Sequence, residues 1–364
     1  MATVAVAGSL AQRPGHGGHA WVFLNYLLGL RRIGHEVLFV DRVGATGEGR
    51  RWLGEVMAAA GLEGDFVAIG EDNPGSREEA LRRLRASDLL IDVNGYLEDE
   101  ELREAPAVSA FLDIDPAIQQ MWQSLGQASI FGRHDLYFTV GENIGSSDSL
   151  VPTCGVDWIA TRPPVVLERW GEGRRGAGFT TLATWRGPYA SIEFEGRSFG
   201  LRVHEFRRFF ELPRRVDADF RLALDIDPAE VGDIEALNES GWETVPPEAV
   251  AATPDGYREF IHGSLAELSI PKQIYVASRC GWFSDRSACY LASGKPVITV
   301  DTGFSATLPS GRGLLCVEDV ETAAAACEAV LADPAAHESA AREIAREYFD
   351  SDRVLRGMLD AAGI

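Results

Sequence analysis

Lysine is almost absent: Lys272 and Lys295 are the only two in 364 residues. With 55 acidic residues and no lysine-rich tail or basic stripe, the formal net charge is −21. Nucleic acid and anionic lipid both repel such a chain, so neither is expected as a partner. Phosphate binding must then be local, and Arg186, Arg279, Arg286 and Lys272 are the candidates. Cysteine is scarce as well. Cys154, Cys280, Cys289, Cys316 and Cys327 lack metal-ligand spacing, and their odd number argues against a disulfide framework. No apolar run reaches membrane length, and residues 1–8 read as a strand without a positive leader. A soluble, cytoplasmic protein is expected. The Gly-x-Gly-x-x-Gly fingerprint of dinucleotide binding is missing too, and Gly15-x-Gly17-Gly18 only approaches it.

What is present is α/β patterning. Hydrophobic content of 46% and 38 glycines suit a fold with many strand–helix turns, and the length favours two domains. Strand 3–7, a glycine-rich loop, a helix and strand 37–40 make a βαβ unit. That helix carries Trp21, Val22, Leu24, Leu27, Leu28 and Leu30 on its apolar face and is closed by Gly34. Strands follow at 66–69, 89–93, 108–112 and 136–140, with a helix 76–86 opened by a Ser76/Glu79 capping box. Arg162-Pro163-Pro164 is a stiff link, which places a boundary near 165, ahead of the glycine- and charge-rich stretch 169–178. The alternation restarts with strand 180–184, helix 203–212 and strand 220–224. Helices near 228–238 and 257–267 and a strand 273–277 come next. The result is two Rossmann-like doubly wound domains, 1–165 and 166–350, with a last helix in 351–364. Two Leu-Asp-Ile-Asp-Pro-Ala stretches, 112–117 and 224–229, read as equivalent strand-to-helix junctions of the two domains.

The chain's organising stretch is 279–304. Gly281 leads into a helix with Ser284 at its N-cap and Asp285 in its first turn; Gly294 ends it, and an apolar strand 296–300 follows. A glycine loop feeding a helix N-terminus is an anion site, or else an ordinary unit of a parallel sheet. The segment Cys289-Tyr290-Leu291-Ala292-Ser293-Gly294-Lys295-Pro296-Val297-Ile298 resembles the donor-site segment of GT-B glycosyltransferases. Gly281-Trp282-Phe283-Ser284-Asp285-Arg286 followed by Asp301-Thr302-Gly303-Phe304 resembles a group of bacterial glycosyltransferase-like proteins. Many retaining GT-B enzymes carry two glutamates eight residues apart here, where this chain has Gly281 and Cys289.

The resemblance implies a GT-B fold whose cleft holds a nucleotide-diphosphate sugar against the second domain and a small-molecule acceptor against the first. It also implies that the last helix crosses back to the first domain, and it places Asp115 and Gln119 on the cleft wall. No cofactor and no essential metal are expected. The Asp113/Asp115 and Asp225/Asp227 pairs are each followed by proline and a helix, which suits capping better than metal binding. Asp113, at a strand's carboxyl end, is the expected general base, with His16 and His19 beside Gly17 and Gly18 as alternatives. Asp115 is expected to cap its helix. Trp185 and Arg186 end a strand, where they would stack on a base and pair with diphosphate. Lys272, Gly281, Trp282, Phe283, Ser284, Asp285, Arg286, Asp301, Thr302 and Gly303 complete the expected donor site, although Trp282 and Phe283 would serve equally as hydrophobic plugs. A nucleotide-sugar epimerase and a non-catalytic nucleotide-sugar-binding protein are the alternative functions. Nothing in the sequence sets the oligomeric state.

Overall fold

The computed structural model describes residues 1–364 except Ala45, Asp72, Glu172, Gly173, Pro188 and Tyr189. Glu172 and Gly173, within the stretch 169–178, thus lie outside the described residues. The first sheet contains β1 (Thr3–Gly8), β2 (Glu36–Arg42), β3 (Phe66–Ile69), β4 (Leu89–Val93), β5 (Val108–Asp113), β6 (Leu136–Thr139) and β7 (Trp158–Ala160). Its order is β3-β2-β1-β4-β5-β6-β7, parallel throughout. Next come β8 (Phe179–Thr184), a short antiparallel hairpin of β9 (Ile192–Phe194) and β10 (Arg197–Phe199), then β11 (Phe220–Asp225) and β12 (Glu243–Val245). The hairpin stands apart, while β8, β11 and β12 join β13 (Ala266–Ser269), β14 (Val297–Val300) and β15 (Leu314–Val317) in a second parallel sheet, ordered β12-β11-β8-β13-β14-β15. Central strands such as β4 and β14 are buried along their whole length, as expected where helices cover both faces. Each sheet reverses its order beside its first strand, between β1 and β4 and between β8 and β13. Such switch points are where open α/β sheets bind ligands.

Six helices matter for the site: α1 (Gly17–Arg32), α2 (Ile118–Ser124), α3 (Pro254–His262), α4 (Gln273–Ser278), α5 (Asp285–Ala292) and α6 (Ser351–Ala361). The last of these packs on α1, so closely that a Cβ on Gly29 would lie 2.5 Å from Leu355 Cδ1. Arg32 Nε ties the pair at 2.8 Å from Asp352. Near the link, the backbone of Val165 bonds to both Phe349 (2.7 Å) and Ser351 (2.9 Å).

Several sequence expectations are corrected. Residues 273–277 are helical (α4), and the expected helix 257–267 ends at His262, so that Glu267 stands inside β13. A carboxylate in a central strand hid that strand from an apolar-pattern reading; its ion pair with Arg286 makes the burial tolerable. The helix 203–212 is broken into short turns. Ser76 does not cap its helix: its hydroxyl donates back to Asn73 O at 2.6 Å. Nor are the two Leu-Asp-Ile-Asp-Pro-Ala stretches equivalent. Counted from the first strand of each sheet, β5 corresponds to β14 and β11 to β2, so the counterpart of Asp113 is Asp301.

Candidate active site

The carboxyl ends of the two sheets face each other, and named side chains bridge them. Asn143, after β6, donates from Nδ2 to Arg279 O (3.1 Å) and Gly303 O (3.0 Å). Its backbone N–H reaches Cys280 O at 3.0 Å. Gly281 and Gly303 are glycine by necessity. Both have positive φ (80° and 97°), and an added Cβ would meet Asn143 at 2.8 Å and 2.5 Å respectively. Asp115, after β5, receives Lys272 Nζ at 2.7 Å and the Tyr275 hydroxyl. Its carboxyl is driven up by burial, but the Lys272 charge and these hydrogen bonds outweigh that and hold it below the usual range. Asp115 is therefore a bridge between the halves. The N-cap of α2 is instead Ala117 (φ 75°), and Asp115 does not cap it.

Other expected roles change with burial. Asp113 has no exposed surface. Oδ2 accepts from Gln120 Nε2 and Thr139 Oγ1, both at 2.7 Å, and Oδ1 from Asp115 N at 3.1 Å. Burial pushes its carboxyl up to about 6, but it faces the protein interior and cannot meet an acceptor. His19 donates from Nε2 to Ser9 O at 3.1 Å, and burial pushes its ring down to about 4, so it stays neutral at the nitrogen already committed. His16 stands exposed at the N-cap of α1 without a side-chain cap bond. Gly17 and Gly18 do not line open space. A Cβ on either would strike Thr253 O (2.0 Å) or Tyr257 (2.7 Å) of the second half, so these glycines let α1 close on α3.

Trp185 is sealed, its indole N–H donating to Asp233 at 2.8 Å, and stacks on no ligand face. Phe283 stacks on Phe349 at 5.0 Å between centroids and is the plug. Trp282 is half-buried on Tyr275 at 4.5 Å, and its carbonyl accepts from the buried Thr302. Ser284 occupies the N-cap of α5 with no side-chain cap bond, and Asp285 follows in the first turn. Gln119 is half-buried, with Oε1 shielded from water and unpartnered among the described residues.

The cations gather at the second sheet. Arg286 pairs with Glu267 at 2.5 Å and reaches Ser269 Oγ at 3.0 Å. Arg186 is exposed and pairs with Glu230. Sequence reasoning missed Arg202, which follows the β9–β10 hairpin. It donates to Ile270 O, its Nε is buried without a partner among the described residues, and burial together with Arg286 pushes it down to about 10. Arg286, by contrast, is lowered by burial but held above the ordinary range by Glu267, so Arg202 is the guanidinium left short of negative charge and the readier place for an anion. No sequence signal separates Arg202 from the chain's many other arginines. Asn143 and Tyr275 were missed for a similar reason, since only the pairing of the halves gives them a role. Among the described residues no three or more His, Cys, Asp or Glu cluster as a metal site, and no helix is long and apolar enough to cross a membrane.

No family model matches this chain, and no curated protein matches it. Solved structures do. AviGT4, a glycosyltransferase involved in avilamycin A biosynthesis, is similar at 16% identity and TM-score 0.62, over 100% of this chain and 97% of that one. An alpha-glucosyltransferase in complex with UDP and a 13-mer DNA gives 12% identity and TM-score 0.63, over 100% of both chains. Anabaena HepE in complex with UDP-glucose gives 9% identity and TM-score 0.61, again over 100% of both. At such identities the likeness speaks to architecture. The chain has the GT-B fold over its whole length.

Proposed function

We propose that the protein is a glycosyltransferase that takes a sugar from a nucleotide-diphosphate donor, without an essential metal. The observation that carries this reading is the closeness of Arg202 to Arg286, with Lys272 lining a cavity that Leu201, next to Arg202, also lines, in an otherwise strongly acidic chain. A diphosphate leaving group needs positive charge held ready in a dry cleft, and this is where the chain concentrates it. That two structurally similar proteins were solved with UDP or UDP-glucose supports the donor class. The acceptor we infer to be a small molecule, from the net charge of −21. One similar protein was solved with DNA, so duplex DNA belongs among the acceptors tried.

Calorimetry with UDP, GDP, ADP, TDP and their sugars tests the donor. Arg202→Met should weaken the best nucleotide at least ~10-fold, the lower end for losing a charged hydrogen bond. Arg186→Ala, exposed and already paired, should stay within ~3-fold. No binding by the wild type, or an unaffected Arg202→Met, overturns the reading. A nucleotide-sugar-binding protein without transfer is the second reading. It is favoured by the sealed state of Asp113 and the committed Nε2 of His19, which leave His16 as the only exposed one of the three expected bases. Release of UDP from UDP-glucose, with and without acceptors, separates the two.

A further inference from the structure

The contact between Asp115 and Lys272 joins the two halves at the very place where the donor reading needs an anion. Lys272 Nζ lies 2.7 Å from Asp115 Oδ1 and 2.9 Å from the Tyr275 hydroxyl, and sits 5.1 Å over the Tyr275 ring. Tyr275 donates to the same carboxylate oxygen. One oxygen anion thus takes a cation and a hydroxyl from the second half, as a phosphate oxygen would. The cavity at this junction, lined by Ile118, Arg186, Ile192, Phe199, Lys272 and Ile274, measures about 30 Å³. That is room for roughly one water, against the ~300–1,000 Å³ of ordinary ligand pockets. A nucleotide needs more room than this, and moving Ile118 and the first half away to make it would break the Asp115 contact. The ion pair is well suited to breaking. Its side chains keep 32% and 23% of their surface exposed, so the pair is only partly buried. An apolar cluster that includes Ala117, Ile118, Ile274, Tyr275 and Trp282 lies beside the pair.

We propose that Asp115 is a latch: its carboxylate occupies the Lys272–Tyr275 anion subsite while the halves are in contact, and the donor's phosphate displaces it. This rests on the donor reading for the identity of the displacing anion, but the latch itself does not. The displaced Asp115 is left on the first-half wall of the opened cleft, facing the donor, so its charge also discriminates against an anion bound too shallowly.

The test uses the full chain and UDP as probe. A latch competes with the ligand, so removing its two sides has opposite effects on affinity. Asp115→Asn should bind UDP roughly threefold tighter or more, whereas Lys272→Met should bind it ~10-fold weaker. A merely structural Asp115 would lose affinity in both variants. Asp115→Ala covers the case in which asparagine still holds Lys272, and melting by circular dichroism confirms that each variant is folded. Small-angle scattering without nucleotide should show Asp115→Ala expanded relative to the wild type. Folded Asp115 variants that bind UDP no better than the wild type overturn the displacement. If the wild type binds no nucleotide, the donor reading fails instead, and unchanged scattering of Asp115→Ala then overturns the latch.

Discussion

Asp113 and Asp301 end corresponding strands of the two sheets, and each begins the same turn. Asp113 Oδ1 accepts from Asp115 N at 3.1 Å and Asp301 Oδ1 from Gly303 N at 2.8 Å, the backbone-mimicking turn that aspartate makes readily. The second oxygen separates them. In Asp113 it points inward, to Gln120 and Thr139 on two further elements. In Asp301 it points outward, to the exposed Ser305 hydroxyl at 2.6 Å. One carboxylate stitches strands and helix together, and the other only shapes its own loop. The residue two positions on then does the bridging in both loops. Asp115 crosses with a side chain, and Gly303 lets Asn143 cross by lacking one. A shared local motif therefore fixes where the backbone turns, while function rests on what the turn presents.

The largest expected effect tests that contrast directly. Asp113→Ala strands three donors in the interior, the Asp115 N–H, Gln120 Nε2 and Thr139 Oγ1, and should cost about 3 kcal/mol or more by urea denaturation. Asp301→Ala should cost about 1 kcal/mol, because water replaces the lost acceptor in a half-exposed loop. Equal losses would break the comparison.

Asp113→Asn sharpens it. Gln120 Oε1 is buried without a partner among the described residues, so an amide flip lets it accept from the new Asn Nδ2. The expected cost is about 1 kcal/mol. The pH dependence carries a sign. Burial, against the hydrogen bonds from Thr139 and Gln120, raises Asp113 from 3.8 to about 6. The native state then holds the proton more tightly than the unfolded chain, so the stability this group contributes is complete below pH 3.8 and lost as pH rises through about 6. The wild type should lose ground to Asp113→Asn between pH 4 and 6 in matched urea titrations. No change over that range would mean that Asp113 titrates as an exposed carboxylate does, and a gain would mean that its hydrogen bonds outweigh its burial.

The architecture was legible because these parallel strands are mostly apolar or β-branched: β1, β4, β5, β8 and β14 stand out in the sequence even with Asp92 inside β4. The element that failed, β13, carries Glu267, and only Arg286, 19 residues away, explains its burial. Site residues split along the same line. That 113–116 and 301–303 form loops at strand ends follows from local chemistry. Which of their side chains face inward depends on partners from distant elements. Trp185 looked like a stacking platform until Asp233, 48 residues on, claimed its indole. Asn143 and Arg202 had no local signal at all, since their roles exist only across the cleft or under the hairpin.

The smallest effect falls on Ser305, and it is best measured against Thr139, because these hydroxyl partners of the two aspartates differ in burial as their carboxylates do. Thr139 is 1% exposed; it donates to Asp113 and accepts from Gly141 N at 3.0 Å. Thr139→Val keeps the shape and leaves that N–H and one carboxylate lone pair unmatched, an expected loss of about 1–3 kcal/mol. Ser305 lies on the surface, and its hydroxyl donates to Asp301. Ser305→Ala should stay within about 0.5 kcal/mol of wild type, since water replaces the hydroxyl. The pair is best read by urea denaturation of both variants side by side. A Ser305→Ala loss matching that of Thr139→Val would mean that the outward turn anchors its half as firmly as the inward one, and burial would no longer explain the contrast.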